Sequence, residues 1–489
     1  MNNGLKLEKK FKNLTNLKDL KIKYIIMFKC DVYKNRRNHL LSKVKSGLIL
    51  ILGNNDSPMN YPSNAFHFRQ DSTFLYFFGI DLQGLAGVID IENDRHILFG
   101  DDYTLDDIIW MGPQSSIKEK AALASVSEVA PFKELFKIVE EALKKGRPVH
   151  FTPPYRGENI ILLSELLDMQ PQKVGAAFSE ELVKACVELR SIKEPAEIEE
   201  LEKQMSVGYK MHTTAMRMAH PGISEQEITG IIEGISISGG GIVSFPVICS
   251  VRGETLHNHY HGNTLKKGDL LLVDAGSESP LHYATDHTRT TPVGGKFTQQ
   301  QKEIYQIVLD ANNEAFKAMR PGIFYRDVHL IAAQTIAEGL KSLGLMKGDI
   351  KTAVSEGAHA LFFPHGLGHM LGLDVHDMED YKEKYVGYDS EIERSTQFGL
   401  SSLRLGRRLQ KGFVITDEPG IYFIPALIDT WKKEKKFESF INYEKVEQYR
   451  NFGGIRLEDD ILITETGARL LGERIPITVE EVESVVLKG

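Results

Sequence analysis

Over residues 27–170, short apolar runs alternate with segments of helical period. Gly47-Leu-Ile-Leu-Ile-Leu-Gly53 is an apolar run bounded by glycines, and Ala86-Gly-Val-Ile-Asp-Ile91 and His96-Ile-Leu-Phe99 flank the turn-like Glu92-Asn93-Asp94. Brief apolar runs closed by turn residues predict buried strands. Helical patterns follow over 118–126 and 132–145, so this part of the chain reads as α/β. Past Glu180 the texture changes. Leu189-Arg190-Ser191-Ile192-Lys193-Glu194-Pro195 leads into a long helical pattern over 196–218, with Pro195 suited to a first turn, where its missing N–H has no intrahelical partner anyway. A domain boundary is expected between about 172 and 192.

The second part carries a faint repeat. Pro221-Gly222-Ile223 recurs as Pro321-Gly322-Ile323, each preceded and followed by a helical pattern. Ser224-Glu-Gln-Glu227 opens the first following helix as a capping box, which the second lacks. A duplicated helix-plus-hairpin unit would bring carboxylates from both halves to one central site. Asp274 ends the strand-like Asp269-Leu-Leu-Leu-Val-Asp274, and Asp286 lies beyond the turn-like Gly276-Ser-Glu-Ser-Pro280. A hairpin puts these two aspartates within reach of one ion, whereas a single extended strand would hold them about 40 Å apart.

Length and charge narrow the reading. At 489 residues the chain exceeds what one core usually serves, so two to three domains are expected. A formal charge of −8 argues against a nucleic-acid groove. The three cysteines, Cys30, Cys186 and Cys249, are scattered and lack CxxC spacing, which suits a reducing cytoplasm and not a disulfide framework. No run of about 18 apolar residues predicts a membrane span. Residues 1–26 are Lys-rich and weakly patterned, without the apolar core of a signal peptide, and read as a disordered extension.

Candidate chemistry centres on His365-Gly-Leu-Gly-His369-Met-Leu-Gly-Leu-Asp-Val-His376-Asp377, three imidazoles within twelve residues on a Gly-punctuated segment. Asp274, Asp286, Glu418 in Thr-Asp-Glu-Pro-Gly and Glu458 in Gly-Ile-Arg-Leu-Glu-Asp-Asp add carboxylates in apolar or Gly-marked surroundings, where an unpaired carboxylate is costly to bury. Bound metal ions would relieve that cost. Either aspartate alone reads more readily as a turn residue; the convergence of all these motifs favours a site.

These motifs resemble the pita-bread metallopeptidases, in the Xaa-Pro branch of aminopeptidase P and prolidase, from about Phe66 to the C-terminus. Phe68-Arg-Gln-Asp-Ser-Thr-Phe-Leu-Tyr-Phe-Phe-Gly79 is similar to the N-terminal domain of aminopeptidase P, and 189–195 to its linker. The resemblance implies an α/β N-terminal domain over 27–175, a linker over 176–192, and an α+β pita-bread catalytic domain of the creatinase/aminopeptidase type, with a pseudo-twofold repeat, over 193–489. It implies metal ligands at Asp274, Asp286, His369, Glu418 and Glu458, with Asp286 and Glu458 bridging two ions. Oxygen-rich ligation with one imidazole suits Mn²⁺ better than the N/S-rich sites common for zinc. Two ions about 3.5–4 Å apart can hold a bridging hydroxide and polarise a carbonyl.

By the same resemblance Glu418 is the proton shuttle, and His257 and His376 flank the substrate carbonyl. His365, Val375, Arg404, Tyr422 and Arg456 are the expected substrate-binding residues. The implied activity is hydrolysis of the N-terminal Xaa-Pro bond of short proline-containing peptides by a cytoplasmic enzyme, with no nucleic-acid or membrane partner. A homodimer is implied, in which Trp110 lines a neighbour's cleft, although a lone Trp is also common in cores and interfaces.

His259, His261, His282 and His287 read as surface positions or as support behind the ligands, and His329 as structural. The Asp274-to-Asp286 interval of twelve residues is one longer than expected for the family, placing the extra residue in the 277–283 turn. Segments 379–411 and 428–452 are longer than in compact bacterial aminopeptidases P and are similar to prolidase, whose matching arginine at Arg404 would meet a dipeptide's carboxylate. A strict Xaa-Pro dipeptidase is therefore one alternative. Arg404, Arg407, Arg408 and Lys411 also read as a solvated basic face. Some pita-bread relatives are catalytically silent binding modules that lack the ligand set, which leaves a protein-binding role as an alternative of another class.

Overall fold

In the computed structural model, residues 27–488 are described, and the chain divides into two compact units between Cys186 and Val187. The extension expected over 1–26 lies outside the described residues. In the first unit, β1 (Leu48–Leu52), β2 (Ala86–Asp90), β3 (Arg95–Phe99), β4 (Glu128–Ala130) and β5 (Val149–His150) form one mixed sheet in the order β4-β3-β2-β1-β5. Leu48, Leu50, Val88, Ile97 and Phe99 pack with Leu135, Val139 and Leu163 of helices Glu134–Lys144 and Gly157–Leu166. Ile49, Ile51, Ile89 and Leu98, alternate along the same strands, are buried too. Burial on both faces explains the uninterrupted apolar runs.

Two features of this unit have no signature in the apolar pattern. Ser72–Phe78 is a short helix buried along its whole length, capped by Asp71 and closed by Gly79 in the left-handed region at φ 67°. Helix Cys30–Lys43 buries Arg37, whose guanidinium donates to the carbonyls of Phe77 at 2.6 Å and Ala124 at 2.7 Å. A buried cation so satisfied cannot be told from a surface one by its neighbours in sequence.

The second unit repeats one plan. Helices α1 (Pro195–Met218) and α2 (Glu225–Ser238) precede the hairpin β7–β8, and α3 (Gln299–Ala318) and α4 (Tyr325–Ser342) precede β9. Here β6 is Ile248–Ser250, β7 Leu270–Ala275, β8 His287–Pro292, β9 Val414–Asp417, β10 Gly420–Tyr422, β11 Gly454–Arg456 and β12 Asp459–Ile463. The α1–α2 and α3–α4 turns make the same backbone bonds. Gly222 N donates to Leu265 O at 2.9 Å and Leu265 N to Ile223 O at 2.9 Å, while Gly322 N donates to Leu409 O at 2.8 Å and Leu409 N to Ile323 O at 2.8 Å. Both glycines adopt a left-handed backbone, at φ 97° and 89°, which side chains of L-residues disfavour.

Leu265-Lys-Lys-Gly268 and Leu409-Gln-Lys-Gly412 are thereby equivalent, and nine residues beyond each leucine stand Asp274 and Glu418. The Pro-Gly-Ile repeat in the sequence thus marks a pseudo-twofold relation within the second unit. Pro195 sits in the first turn of α1 and Ser224 caps α2 in a capping box with Glu227, whereas α4 has no side-chain cap. Among the described residues, no helix is long and apolar enough to cross a membrane.

Candidate metal centre

The β7–β8 hairpin pairs Asp274 with Thr288 and leaves Asp286 just before β8. Its connection is irregular: His282 takes φ 65° and pairs with Glu278 at 2.7 Å. Glu458 reaches the same place because its N–H donates to Thr288 O at 3.0 Å, in an isolated bridge between β8 and the chain entering β12. Segment 367–371 lies along β9: Glu418 N donates to Leu367 O at 2.8 Å, Thr416 N to His369 O at 3.1 Å and Leu371 N to Val414 O at 3.0 Å. Gly368 permits that approach, since a Cβ there would stand 2.3 Å from Thr416 O.

These registers converge. One ligand atom each of Asp286, His369 and Glu458 lie within 4.8 Å of one another. Glu418 Oε1 is 3.8 Å and Asp286 Oδ2 3.4 Å from His369 Nε2. His369 Nδ1–H donates to Met370 O at 2.9 Å, which fixes the tautomer and turns the Nε2 lone pair toward the carboxylates. Asp274 lines the same cleft but its Oδ2 is held by Arg456 Nη2 at 2.5 Å. Arg456 also donates to Tyr422 Oη at 2.9 Å and Thr288 Oγ1 at 3.1 Å, and Thr288 donates to Glu458 Oε2 at 2.7 Å.

The electrostatics are those of crowded buried anions. Burial, then Glu458 and Asp274, raises the Asp286 carboxyl well above its ordinary range, and burial, then Glu418, does the same at Glu458. Burial pushes Glu418 up to about 7, against the pull of Arg456. Among the described residues, Oδ1 of Asp274 and Oδ1 of Asp286 are buried with no hydrogen-bond partner. An oxygen-rich set with one correctly presented imidazole and unpartnered buried oxygens fits hard divalent cations.

The set faces a cleft of about 440 Å³ lined on its apolar side by Phe245, Pro246, Ile248 and Leu256. Sequence reasoning missed these four, whose only mark is a short apolar stretch. His257, His365, Val375, His376, Arg404 and Arg456 all line the cleft. Tyr422 is fully buried behind it, with its hydroxyl hydrogen-bonded to His365 Nε2 at 2.8 Å. His365 Nδ1–H donates to Gly366 O at 2.8 Å, and burial followed by the charge of Arg456 lowers its pKa to about 3, so its imidazole is neutral. His376 stacks edge-on against His369 with ring centroids 4.1 Å apart.

Of the remaining histidines, His259 also lines the cleft, His261 is half-buried and bonds Val247 O, and His282 and His287 are buried. His329 is fully buried, against Phe363. Asp377, beside His376, is fixed by Lys193 Nζ at 2.8 Å and Arg190 Nη2 at 2.7 Å, all three buried. Against burial, which pushes it up, these cations hold the Asp377 carboxyl below its ordinary value. The Leu189–Pro195 stretch noted in the sequence thus anchors the turn that presents His376.

Residues 199–465 match Metallopeptidase family M24, more than half of the chain, and residues 33–150 match the Aminopeptidase P, N-terminal domain. The chain belongs to the M24 metallopeptidases. It is 32% identical over 455 residues to the Xaa-Pro dipeptidase of Homo sapiens, covering 90% of this chain and 89% of that protein. It is 30% identical over 448 residues to a probable Xaa-Pro aminopeptidase of Sordaria macrospora, covering 90% and 91%. Zinc-substituted Escherichia coli aminopeptidase P in complex with product superposes with a TM-score of 0.78 at 29% identity, over 95% of this chain and 99% of that one. A glutamate-to-alanine variant of the same E. coli enzyme, in complex with substrate, gives 0.78 at 28% over the same shares. These matches establish the aminopeptidase P-type N-terminal domain and the pita-bread M24 fold.

The shifted carboxylates give this M24 centre a pH signature. Glu418 ionises near its ordinary 4.5 when unfolded but near 7 when folded, and Asp286 and Glu458 shift in the same direction. At these carboxyls the folded chain binds more protons than the unfolded one, so the stability Glu418 contributes below about pH 4.5 is lost as pH rises toward and past 7, while buried histidines such as His365, lowered from 6.5 to about 3, act in the opposite sense. In metal-stripped protein the thermal midpoint of the wild type relative to Glu418→Gln should therefore fall across this window, and Mn²⁺ should stabilise the wild type most at its alkaline end, because cations bind the ionised form. A wild-type midpoint that climbs relative to Glu418→Gln there would contradict the assignment.

Proposed function

We propose that the chain is a metal-dependent Xaa-Pro peptidase, cleaving the N-terminal Xaa-Pro bond of short peptides, with dipeptides as additional substrates through Arg404. The observation that carries this reading is the convergence of Asp286, His369, Glu458 and Glu418 on a cleft whose wall holds a neutral His365. All five candidate ligands, Asp274 included, border that cleft. A silent binding module would have no need to bury such a set, so the enzyme reading is preferred.

Asp274, Asp286, His369, Glu418 and Glu458 would hold two divalent ions, with Mn²⁺ favoured by the oxygen-rich donors. Such ions supply Lewis acidity toward the scissile carbonyl and acidify the attacking water. Glu418, bordering the cleft, would take up the proton of that water and deliver it to the proline nitrogen. His257 and His376 border the cleft where they can hydrogen-bond the carbonyl oxygen as charge develops on it. His365 offers an apolar ring face for proline, held flat by Tyr422 and Gly366.

A strict dipeptidase is the second reading, favoured by Arg404 in the cleft wall. Similarity to an Xaa-Pro dipeptidase and to a probable Xaa-Pro aminopeptidase supports the branch without dividing it. The three scattered cysteines, without CxxC spacing, accord with a reducing cytoplasm, which completes the proposal together with a homodimer. Helix Leu105–Met111 exposes Leu105 by 74%, Ile109 by 68% and Trp110 by 82%, an apolar face suited to self-association.

Glu418→Gln should fold and load metal yet turn over glycyl-proline substrates at least about 100-fold more slowly, because charge and proton shuttle are lost together. Near-normal turnover at full metal occupancy would remove Glu418 from the mechanism. Arg404→Ala should lower kcat/KM for an Xaa-Pro dipeptide by roughly 10- to 150-fold, the worth of a charge-assisted bond, and that for Xaa-Pro-Xaa tripeptides much less. Equal losses would mean that Arg404 serves only the loop. Sedimentation equilibrium of the full chain should give a dimer that Trp110→Lys weakens; a monomeric wild type would end that part of the proposal.

A further inference from the structure

Arg404 does not stand free in the cleft wall. Its Nη1 is bonded to Glu379 Oε1 and lies 3.7 Å from Glu383 Oε1, while the other oxygen of Glu379 accepts from His376 Nδ1–H at 2.6 Å. One carboxylate therefore spans two groups that line the cleft. Glu379 is aimed by its backbone. The short turn Glu379–Tyr381 is bracketed by Met378 at φ 63° and Lys382 at φ 72°, both non-glycine residues in the left-handed half of conformational space. Tyr381, only 4% exposed, anchors the turn, and Glu379 N donates back to His376 O at 3.1 Å. Such a backbone persists only where its surroundings hold it.

We propose that Glu379 is a specificity-determining residue, an internal carboxylate that occupies Arg404 and so biases the site toward peptides that continue beyond proline and against Xaa-Pro dipeptides. The inference rests on the Xaa-Pro reading and deepens it. A dipeptide presents a carboxylate to Arg404 and must displace Glu379, whereas a peptide with an amide there brings no competing charge. The hydrogen bond from His376, then Arg404, lowers the Glu379 carboxyl to about 2, so it is anionic at any working pH. Glu379 is about half exposed and Arg404 a third, so the pair is displaceable and its discrimination is modest, roughly 3- to 10-fold.

The test compares glycyl-proline with glycyl-prolinamide, which differ in charge and hardly in size. Both kcat/KM with Mn²⁺ and equilibrium binding to metal-stripped protein are measured for the wild type, Glu379→Gln and Glu379→Gln/Arg404→Ala. Glu379→Gln should raise the carboxylate-to-amide ratio roughly 3- to 10-fold, and the added Arg404→Ala should abolish the gain. Loss of His376 positioning alone would slow both peptides together and leave the ratio unmoved, which overturns the proposal. A gain that survives without Arg404 overturns it as well. If neither peptide is cleaved but the binding ratio shifts as expected, the peptidase reading fails and the assignment of Glu379 stands.

Discussion

Mutual repulsion among buried carboxylates is the constraint to which the second unit answers. Asp286 and Glu458, both at most 5% exposed, share a small volume with Glu418 and Asp274, and each raises the cost of ionising the others. One internal cation, Arg456, cannot balance four anions. It neutralises Asp274 and tempers Glu418, while Oδ1 of Asp286 keeps no protein partner. The remaining negative charge is what a pair of divalent cations can compensate, and it makes the site an acceptor for metal without making it a stable element of the fold on its own.

Holding like charges together requires a scaffold that cannot relax away from them, and the duplicated plan supplies it. The turns at Gly222 and Gly322 clamp Leu265 and Leu409 by identical backbone bonds, which delivers β7 and β9 to the centre in equivalent register. Asp274 and Glu418 then arrive from opposite halves. Asp286 and Glu458 stand one residue before the strands that pair with β7 and β9, ahead of β8 and of β12 respectively. The buried Arg190, Lys193 and Asp377 do the same for the loop bearing His369 and His376, because a charge left unpaired there would be expensive.

The wall of the cleft that holds Arg404 is softer. Arg404, His376 and Glu379 are partly exposed and joined to each other more than to the core. Ion pairs of that kind rearrange at small cost. A rigid ligand set beside a more adjustable wall is a division that follows from burial.

Much of this was legible in the chain itself. An apolar run closed by glycines located β1, two runs around the Glu92-Asn93-Asp94 turn located β2 and β3, Pro195 and Ser224 marked the starts of α1 and α2, and the Pro-Gly-Ile repeat pointed to the duplication. These signals are local, set by backbone preference and by which side chains tolerate burial, so sequence carries them directly. The His365–His376 segment and the scattered acids supplied the candidate chemistry for the same reason: residue type and neighbours were enough. Which oxygens stay unpartnered, that Asp274 is tied to Arg456 182 positions away, that Tyr422 stands behind the wall, and that Glu379 sits on Arg404 were decided only by the tertiary structure. Each depends on the register between strands and loops distant in sequence, and that register is fixed by the packing of the whole unit and not by any segment of it.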